Sequence, residues 1–287
     1  MSKIEMGNYA ILFVDKIKEL DQYFDKFNNH NKVFVITDST VYGLFKANFE
    51  ELTKREIVWL VVPAGDSNKN TDSYLKLLTD LIEKHLNKTD LIVAFGGGMI
   101  TDLTGFVAAT IYRGVRFISI PTSLIAQIDS SVGGKNGINY SSYKNQVGSF
   151  YDPVMVLISH EWLEKLPERQ ILNAMGEIVK TALIGDLKLY EYLEKNPNIE
   201  ITQKLIKKAI MIKRKFVLKD YYDQNVRHVL NFGHTYGHAI ESESNFSISH
   251  GEAVAHGLLK SLEIGERLKI TQPGLKDRVE KHLFKAK

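Results

Sequence analysis

Apolar runs and helix-period stretches alternate through the first half of the chain. Residues 32–37 (KVFVIT), 57–62 (IVWLVV), 91–95 (LIVAF) and 116–120 (RFISI) are short, continuous and β-rich. Each is closed by turn chemistry: Asp38, then Pro63-Ala64-Gly65-Asp66, then Gly96-Gly97-Gly98, then Pro121. Residues 71–86 and 99–111 lie between them and carry a helical pattern. A strand that is apolar on both faces needs cover on both faces. Such runs separated by helices therefore predict a parallel α/β sheet. Past Glu161 the pattern changes. Residues 168–183, 201–218, 227–242 and 251–268 all read as helices, which predicts an all-α second half. The expected division is an α/β domain over 1–157 and a helical domain over 158–287.

Composition narrows the chemistry. The 37 basic and 34 acidic residues leave a net charge of +3, too balanced to argue for nucleic acid or a membrane surface as partner. There is no cysteine, which excludes disulfides, thiolate nucleophiles and Cys-type zinc sites, so any metal must sit on His, Asp or Glu. No apolar run approaches the roughly 20 residues of a membrane helix. Acidic residues interrupt residues 4–14, so no signal peptide is read there. A cytoplasmic enzyme is the expectation.

Four stretches concentrate the candidate chemistry. Gly96-Gly97-Gly98 follows a strand and opens a helix, where a glycine backbone can approach a phosphate and the helix N-terminus favours an anion. A plain tight turn is an equal reading. Asp102, one turn on, either accepts hydrogen bonds from a ribose or amide or simply favours the helix dipole. Asp129-Ser130-Ser131-Val132-Gly133-Gly134-Lys135, with Asn139, Lys144 and Asn145, reads as a polar loop. Composition alone makes it a solvated surface; Arg113 and Arg116 just upstream make an anion pocket competitive. Glu177 and Lys180 stand one turn apart among apolar neighbours, either a structural ion pair or part of a metal site. Lys213, Arg227 and Asn231 lie on the segments that lead to the histidines. Finally His234 and His238 share a helix face at i, i+4, with His250 soon after. A bare HxxxH is usually two surface histidines, but the third histidine and the acids nearby point to a metal.

These stretches occur in a specific order: GGGMITDLTGFVAATIYRGV, IPTSLIAQIDSSVGGKNGIN, KNQVGSFYDP, LPERQ, GEIVK, LNFGHTYGHAIE and HGEAVAHG. Together they resemble the dehydroquinate synthases of the sugar phosphate cyclase family, over roughly residues 30–268. The resemblance implies a Rossmann-like, NAD-binding α/β domain followed by an all-α metal-binding domain. It implies a divalent metal, zinc or cobalt, on Glu177, His234 and His250, with His238 left to the substrate phosphate. It implies NAD held by Gly97, Gly98, Met99 and Asp102, by Thr122 and Ser123, and by Asp66, Lys69 and Lys144. Asp129 and Lys135 match positions that serve both cofactor and substrate. Asn145, Lys180, Lys213, Arg227 and Asn231 match substrate positions. Arg113 matches an arginine that reaches into a neighbouring subunit, which implies a homodimer.

The implied reaction is that of the shikimate pathway, on a phosphorylated seven-carbon keto-sugar acid, DAHP. One hydroxyl is transiently oxidised by NAD, phosphate is eliminated, the ketone is reduced again, and an aldol step closes dehydroquinate. Lys213 and Arg227 fall where a substrate carboxylate would be met by charge-assisted hydrogen bonds, which favours this activity over cyclases of non-carboxylated sugar phosphates. Polyol dehydrogenases share the glycine loop but lack the DSSVGGK stretch. The chain departs from the family pattern in places. It ends at Lys287, before a segment that carries a further active-site lysine in the family. Asp66 replaces the usual Glu, Tyr221-Tyr222-Asp223 replaces a more acidic stretch, and Asn87-Lys88-Thr89-Asp90 replaces a usual Asp-Arg pair. The alternatives these leave are another sugar phosphate cyclase or a weakly active or inactive NAD-binding paralogue.

Overall fold

The computed structural model describes residues 2–285 apart from 29, 142, 197–198 and 245–247. The chain divides into two compact units, Met1–Lys165 and Leu166–Lys287.

The first unit runs β1 (Ser2–Glu5), β2 (Ala10–Val14), α1 (Asp21–Phe24), β3 (Lys32–Asp38), α2 (Ser39–Glu50), β4 (Glu56–Val62), α3 (Thr71–Glu83), β5 (Ile92–Gly96) and α4 (Gly98–Thr110). It continues with β6 (Phe117–Pro121), β7 (Lys135–Tyr140), β8 (Tyr143–Phe150) and β9 (Met155–Ser159). Seven strands form one sheet in the order β1-β2-β9-β6-β5-β3-β4. Only the β1–β2 pair is antiparallel. Alternate side chains of a strand face opposite sides, and here both sides are core. Val33, Val35, Val93, Phe95, Ile118 and Ile120 pack on one face; Phe34, Ile36, Ile92, Ala94 and Phe117 pack on the other. Burial on both faces is why these strands read as unbroken apolar runs.

β3 pairs with both β4 and β5, so the strand order reverses there. A reversal of this kind opens a crevice at the carboxyl ends of the strands, the usual ligand seat of an open α/β sheet. Gly96 ends β5, and Pro121, just before Thr122 and Ser123, ends β6. The sheet thus delivers the glycine loop and the Thr122-Ser123 pair to the same edge.

The stretch expected as a polar loop is structured. Ala126–Ser130 is a π-helical turn, and Lys135 opens an antiparallel hairpin of β7 with β8. Asn136 anchors it, its Nδ2 donating to Gly134 O at 2.9 Å and Tyr151 O at 2.8 Å. Gly105 of α4 packs directly on that amide: a Cβ there would fall 1.8 Å from Asn136 Oδ1. Glycine in α4 and an asparagine network, not strand propensity, hold the hairpin in place.

The second unit contains α5 (Glu168–Gly185), α6 (Leu187–Lys195), α7 (Gln203–Lys219), α8 (His234–Glu243), α9 (His250–Arg267) and α10 (Leu275–Glu280). The helix expected over 227–242 is two elements. Val226–Asn231 is 3-10, and Gly233, at φ 83°, turns the chain into α8. Phe232, at ψ 123°, ends the first element whatever the apolar period says, and the left-handed conformation at Gly233 suits glycine. No helix among the described residues is long and apolar enough to cross a membrane.

Three helices of this unit meet backbone to backbone. A Cβ on Gly176 of α5 would fall 2.2 Å from Gly251 O, and one on Gly257 of α9 would fall 2.0 Å from Gly233 O and 2.6 Å from Gly237 N. Gly251 N donates to Asn173 Oδ1 at 2.6 Å. Main-chain atoms cannot rotate aside, so Gly257→Ala must push α8 off α9. We expect a stability loss toward the upper end of about 1–3 kcal/mol. A wild-type urea midpoint would show that the helices can part at no cost.

Candidate functional site

The close helix contacts bring Glu177, His234 and His250 together. Glu177 lies within α5, while His234 and His250 are the first residues of α8 and α9. His234 Nε2 is 3.4 Å and His250 Nε2 is 3.6 Å from Glu177 Oε1. Two ligands each about 2.0–2.1 Å from one tetrahedral zinc ion stand about 3.3–3.4 Å apart. The spacing therefore suits a shared ion. Glu177 is 1% exposed, and among the described residues neither of its oxygens takes a directed hydrogen bond. Lys180 Nζ stands 2.5 Å from Oε2, a charge contact off the hydrogen-bond direction. Burial opposes ionisation of Glu177, but the Lys180 ammonium and the two histidines outweigh it and hold the carboxyl well below its usual range. A buried, ionised carboxylate with unsatisfied oxygens facing two imidazole nitrogens is the donor set of a divalent metal, and the residues fit that group.

The far nitrogens of both imidazoles also face oxygen. His234 Nδ1 is 3.5 Å from Phe232 O, and His250 Nδ1 is 3.3 Å from Glu241 Oε2. Burial disfavours protonation of His250, but Glu177 and Glu241 together lift its pKa to about 9. Glu241 was not singled out in the sequence. Its signal was there: it stands three residues past His238 and seven past His234 in GHTYGHAIE, on the same helix face. His238 falls in a different group, with Glu241 and His250, whose ligand atoms lie within 4.8 Å of one another. The two histidines of HxxxH thus fall in different groups, His234 with Glu177 and His238 with Glu241.

Of the basic positions in this unit, Lys180, Lys213 and Arg227 are all buried. Arg227 is fixed at both ends: Nη1 donates to Tyr221 O at 2.6 Å, and its backbone N donates to Asp220 Oδ2 at 3.0 Å. Asp220 also accepts from the backbone N–H groups of Gln224 and Asn225. Asn231 closes the 3-10 segment and is exposed.

In the first unit a second cluster gathers around Lys69. This buried ammonium donates to Asp102 Oδ2 at 2.9 Å and to Asn145 Oδ1 at 2.6 Å. Asp66 Oδ1 lies 3.9 Å away, and its Oδ2 is 3.1 Å from Lys144 Nζ. The shorter aspartate at position 66 therefore reaches Lys144 directly. Asn139 ties the group together, accepting from Asn145 N at 3.2 Å and donating to Asp66 Oδ2 at 3.2 Å. Burial raises the Asp102 pKa, with Lys69 opposing; burial of Asp66 is outweighed by Lys69 and Lys144, which lower its pKa.

Gly97 is the N-cap of α4 and offers no side chain there. A Cβ on Gly97 would fall 3.4 Å from Ser123 Oγ, and one on Gly98 3.1 Å from Ser130 Oγ. Thr122 N donates to Gly96 O at 2.9 Å, locking that strand end beside the loop. Met99 lies in the first turn of α4, and Asp129 in the π-helical turn. Lys135 is exposed at the start of β7. Arg113 stands apart, just beyond the far end of α4 and about 20 Å along the helix axis from Gly98. It is exposed, and both Tyr112 (φ 49°) and Arg113 (φ 57°) adopt left-handed backbone.

Comparison with known proteins gives a consistent family. Residues 59–173 match the family described as 3-dehydroquinate synthase N-terminal, and residues 174–287 match 3-dehydroquinate synthase C-terminal. The 3-dehydroquinate synthase of Clostridium tetani is 37% identical over 289 residues, covering 97% of this chain and 78% of that protein. That of Dictyoglomus thermophilum is 40% identical over 248 residues, covering 84% and 68%. Among solved structures, a 2-deoxy-scyllo-inosose synthase complexed with carbaglucose-6-phosphate, NAD+ and Co2+ aligns with a TM-score of 0.87 at 26% identity, covering 98% of this chain and 81% of that one. The 2-epi-5-epi-valiolone synthase of Streptomyces hygroscopicus subsp. jinggangensis 5008, with NAD+ and Zn2+ bound, has the same fold: TM-score 0.87 at 22% identity, covering 99% and 82%. With both family segments matched in order and relatives of this identity aligned over most of their length, the chain belongs to the 3-dehydroquinate synthase family.

Proposed function

We propose that the chain converts DAHP to 3-dehydroquinate and phosphate, as an NAD- and metal-dependent carbon–oxygen lyase. The observation that carries this reading is the convergence of Glu177, His234 and His250 around one point, in a chain of this family. When bound, NAD would take up and return a hydride at the carbon bearing one substrate hydroxyl, and the metal would serve as a Lewis acid toward hydroxyl oxygens.

The chain's own residues do the rest. Three protein ligands leave further coordination positions open. Lys213 and Arg227 are assigned to the substrate carboxylate, with Asn231 beside them. Arg227 suits that task because its guanidinium is already held by Tyr221 O and so loses little freedom on binding. Lys135, Asn145, Arg113 and His238 are assigned to the phosphate, and Lys180 to substrate beside Glu177. Lys69 takes the Oδ1 of Asn145, so the amide presents its Nδ2 as donor. Gly97, Gly98 and Met99 are assigned to the pyrophosphate side of NAD, where main-chain N–H groups meet an anion. Asp102, Asp66, Lys69 and Lys144 are assigned to its polar groups, flanked by Thr122, Ser123 and Asp129. Lys69, Asp102, Asn145 and Arg227 are already held by hydrogen bonds, so much of the acceleration comes from positioning and fixed charge.

We also propose a homodimer in which Arg113 reaches the neighbouring copy. Its support is the left-handed Tyr112-Arg113 backbone and the adjacent hairpin, which exposes Tyr140, Tyr143, Val147 and Phe150.

The test is phosphate release from DAHP with NAD present: lost with a chelator, restored by zinc or cobalt. No release with both present rejects the proposal, and net NADH formation would mark a dehydrogenase. Within it, His234→Ala should cost metal affinity by more than the ~10–100-fold typical of outer-sphere partners. His238→Ala should keep the metal and lose rate by roughly 10²-fold or more. Equal metal loss in both would return His238 to the ligand set.

A further inference from the structure

The second carboxylate beside His250 has no role in the assignments above. Glu241 lies near the end of α8 and is 2% exposed. A carboxylate taken out of water needs a partner that repays its desolvation. His250 is such a partner, and its ring lies between two acids. Nε2 is 3.6 Å from Glu177 Oε1, and Nδ1 is 3.3 Å from Glu241 Oε2. A neutral imidazole has one N–H and one lone pair, so the acid that takes the proton decides which nitrogen is free to ligate. His234 repeats the arrangement with a weaker acceptor, its Nδ1 facing Phe232 O at 3.5 Å. An ionised carboxylate is the stronger acceptor of the two.

We propose that Glu241 is a positioning residue of the metal centre: it accepts the Nδ1 proton of His250, fixes the ring, and leaves Nε2 as the ligating atom facing Glu177. This rests on the reading that Glu177, His234 and His250 hold the metal. The negative charge of Glu241 also makes His250 the more basic ligand, so the effect has an orienting and an electrostatic part. The same geometry admits one rival, in which Glu241 itself ligates together with His238 and His250.

Zinc affinity of the full chain, measured by competition with a chromophoric chelator, separates these. Folding of each variant is checked by circular dichroism, and cobalt absorption reports coordination independently of turnover. Glu241→Ala should weaken zinc by about 10–100-fold, with the cobalt bands shifted but still those of a bound ion. Glu241→Gln keeps an acceptor and loses the charge, so its affinity should fall between wild type and Ala. A folded Glu241→Ala with wild-type affinity and an unchanged cobalt spectrum overturns the proposal. Should the Ala variant not fold, wild-type affinity in Glu241→Gln overturns it. Complete zinc loss in Glu241→Ala with retention in Glu177→Gln places the ion on the other set, and overturns both the proposal and the metal assignment beneath it. Weakened zinc in Glu241→Ala with near-complete loss in Glu177→Gln supports both.

Discussion

Glu177→Gln is expected to lose metal and activity together, and also to destabilise the metal-free protein. The first effect follows from removing the carboxylate that faces both histidines proposed as ligands. The second comes from Lys180, which is buried with its Nζ 2.5 Å from Glu177 Oε2. Removing one member of a buried ion pair strands the other, at a typical cost of about 3–5 kcal/mol. Glu177→Gln with Lys180→Met removes the stranded charge as well. The double variant should regain most of the stability and none of the zinc. Urea denaturation of metal-free protein, paired with zinc titration, reads both effects. A single variant as stable as wild type would show that Lys180 is solvated or neutral. The pH dependence follows from the sign of the shift. The Glu177 carboxyl is held below its ordinary value of 4.5, so its contribution is present above that pH and fades as acid passes the folded value. Glu177→Gln should lack that part of the acid dependence.

Lys69→Met is expected to weaken NAD and raise the KM for DAHP in a single substitution. One ammonium holds Asp102, assigned to cofactor, and Asn145, assigned to substrate. Without it the half-buried Asp102 loses its countercharge. Its pKa, already raised by burial, must climb further, which favours the uncharged acid at a position assigned to the cofactor. Asn145 loses the contact that fixes its amide orientation. We expect roughly 100-fold in NAD affinity, equivalent to about 2.8 kcal/mol, and a KM increase of at least several-fold. Asp102→Asn added to Lys69→Met should recover stability without recovering the cofactor. Fluorescence titration with NAD and steady-state kinetics test it, and an unchanged KM beside a weakened cofactor would dissolve the proposed link.

The parts of this molecule that were legible in sequence have a local cause. β3, β5 and β6 announce themselves because both of their faces are buried, which writes an unbroken apolar run. The glycine loop is visible because a strand, a turn and a helix must meet within a few residues. β2 (AILFV) and β9 (MVLIS) are five residues each, too few for periodicity to separate strand from helix. Their identity comes from pairing, Ala10 against Met155, across most of the unit. The hairpin of β7 and β8 was hidden by Gly137 and Gly148, which depress strand propensity yet allow the strands to meet; a Cβ on Gly148 would fall 2.1 Å from Asn136 O. The break at Gly233 was hidden because apolar spacing continues across it while the backbone does not. The Lys69–Asn145 bond spans 76 residues, and no local pattern encodes it. Glu241 differs: its spacing was plain, and the approach of α9 gave it His250 as a partner.

The hold on Arg227 bears on how this chain has diverged from its relatives. The guanidinium is gripped by a peptide carbonyl, which exists whichever side chain occupies position 221. Tyr221-Tyr222-Asp223 can therefore drift in composition, as it has here, while the arginine keeps that anchor. Asp220 has no such freedom, because its carboxylate gathers three main-chain N–H groups and only a few side chains could do so. Divergence in this loop should thus run up to position 220 and resume immediately after it, a boundary drawn by main-chain chemistry.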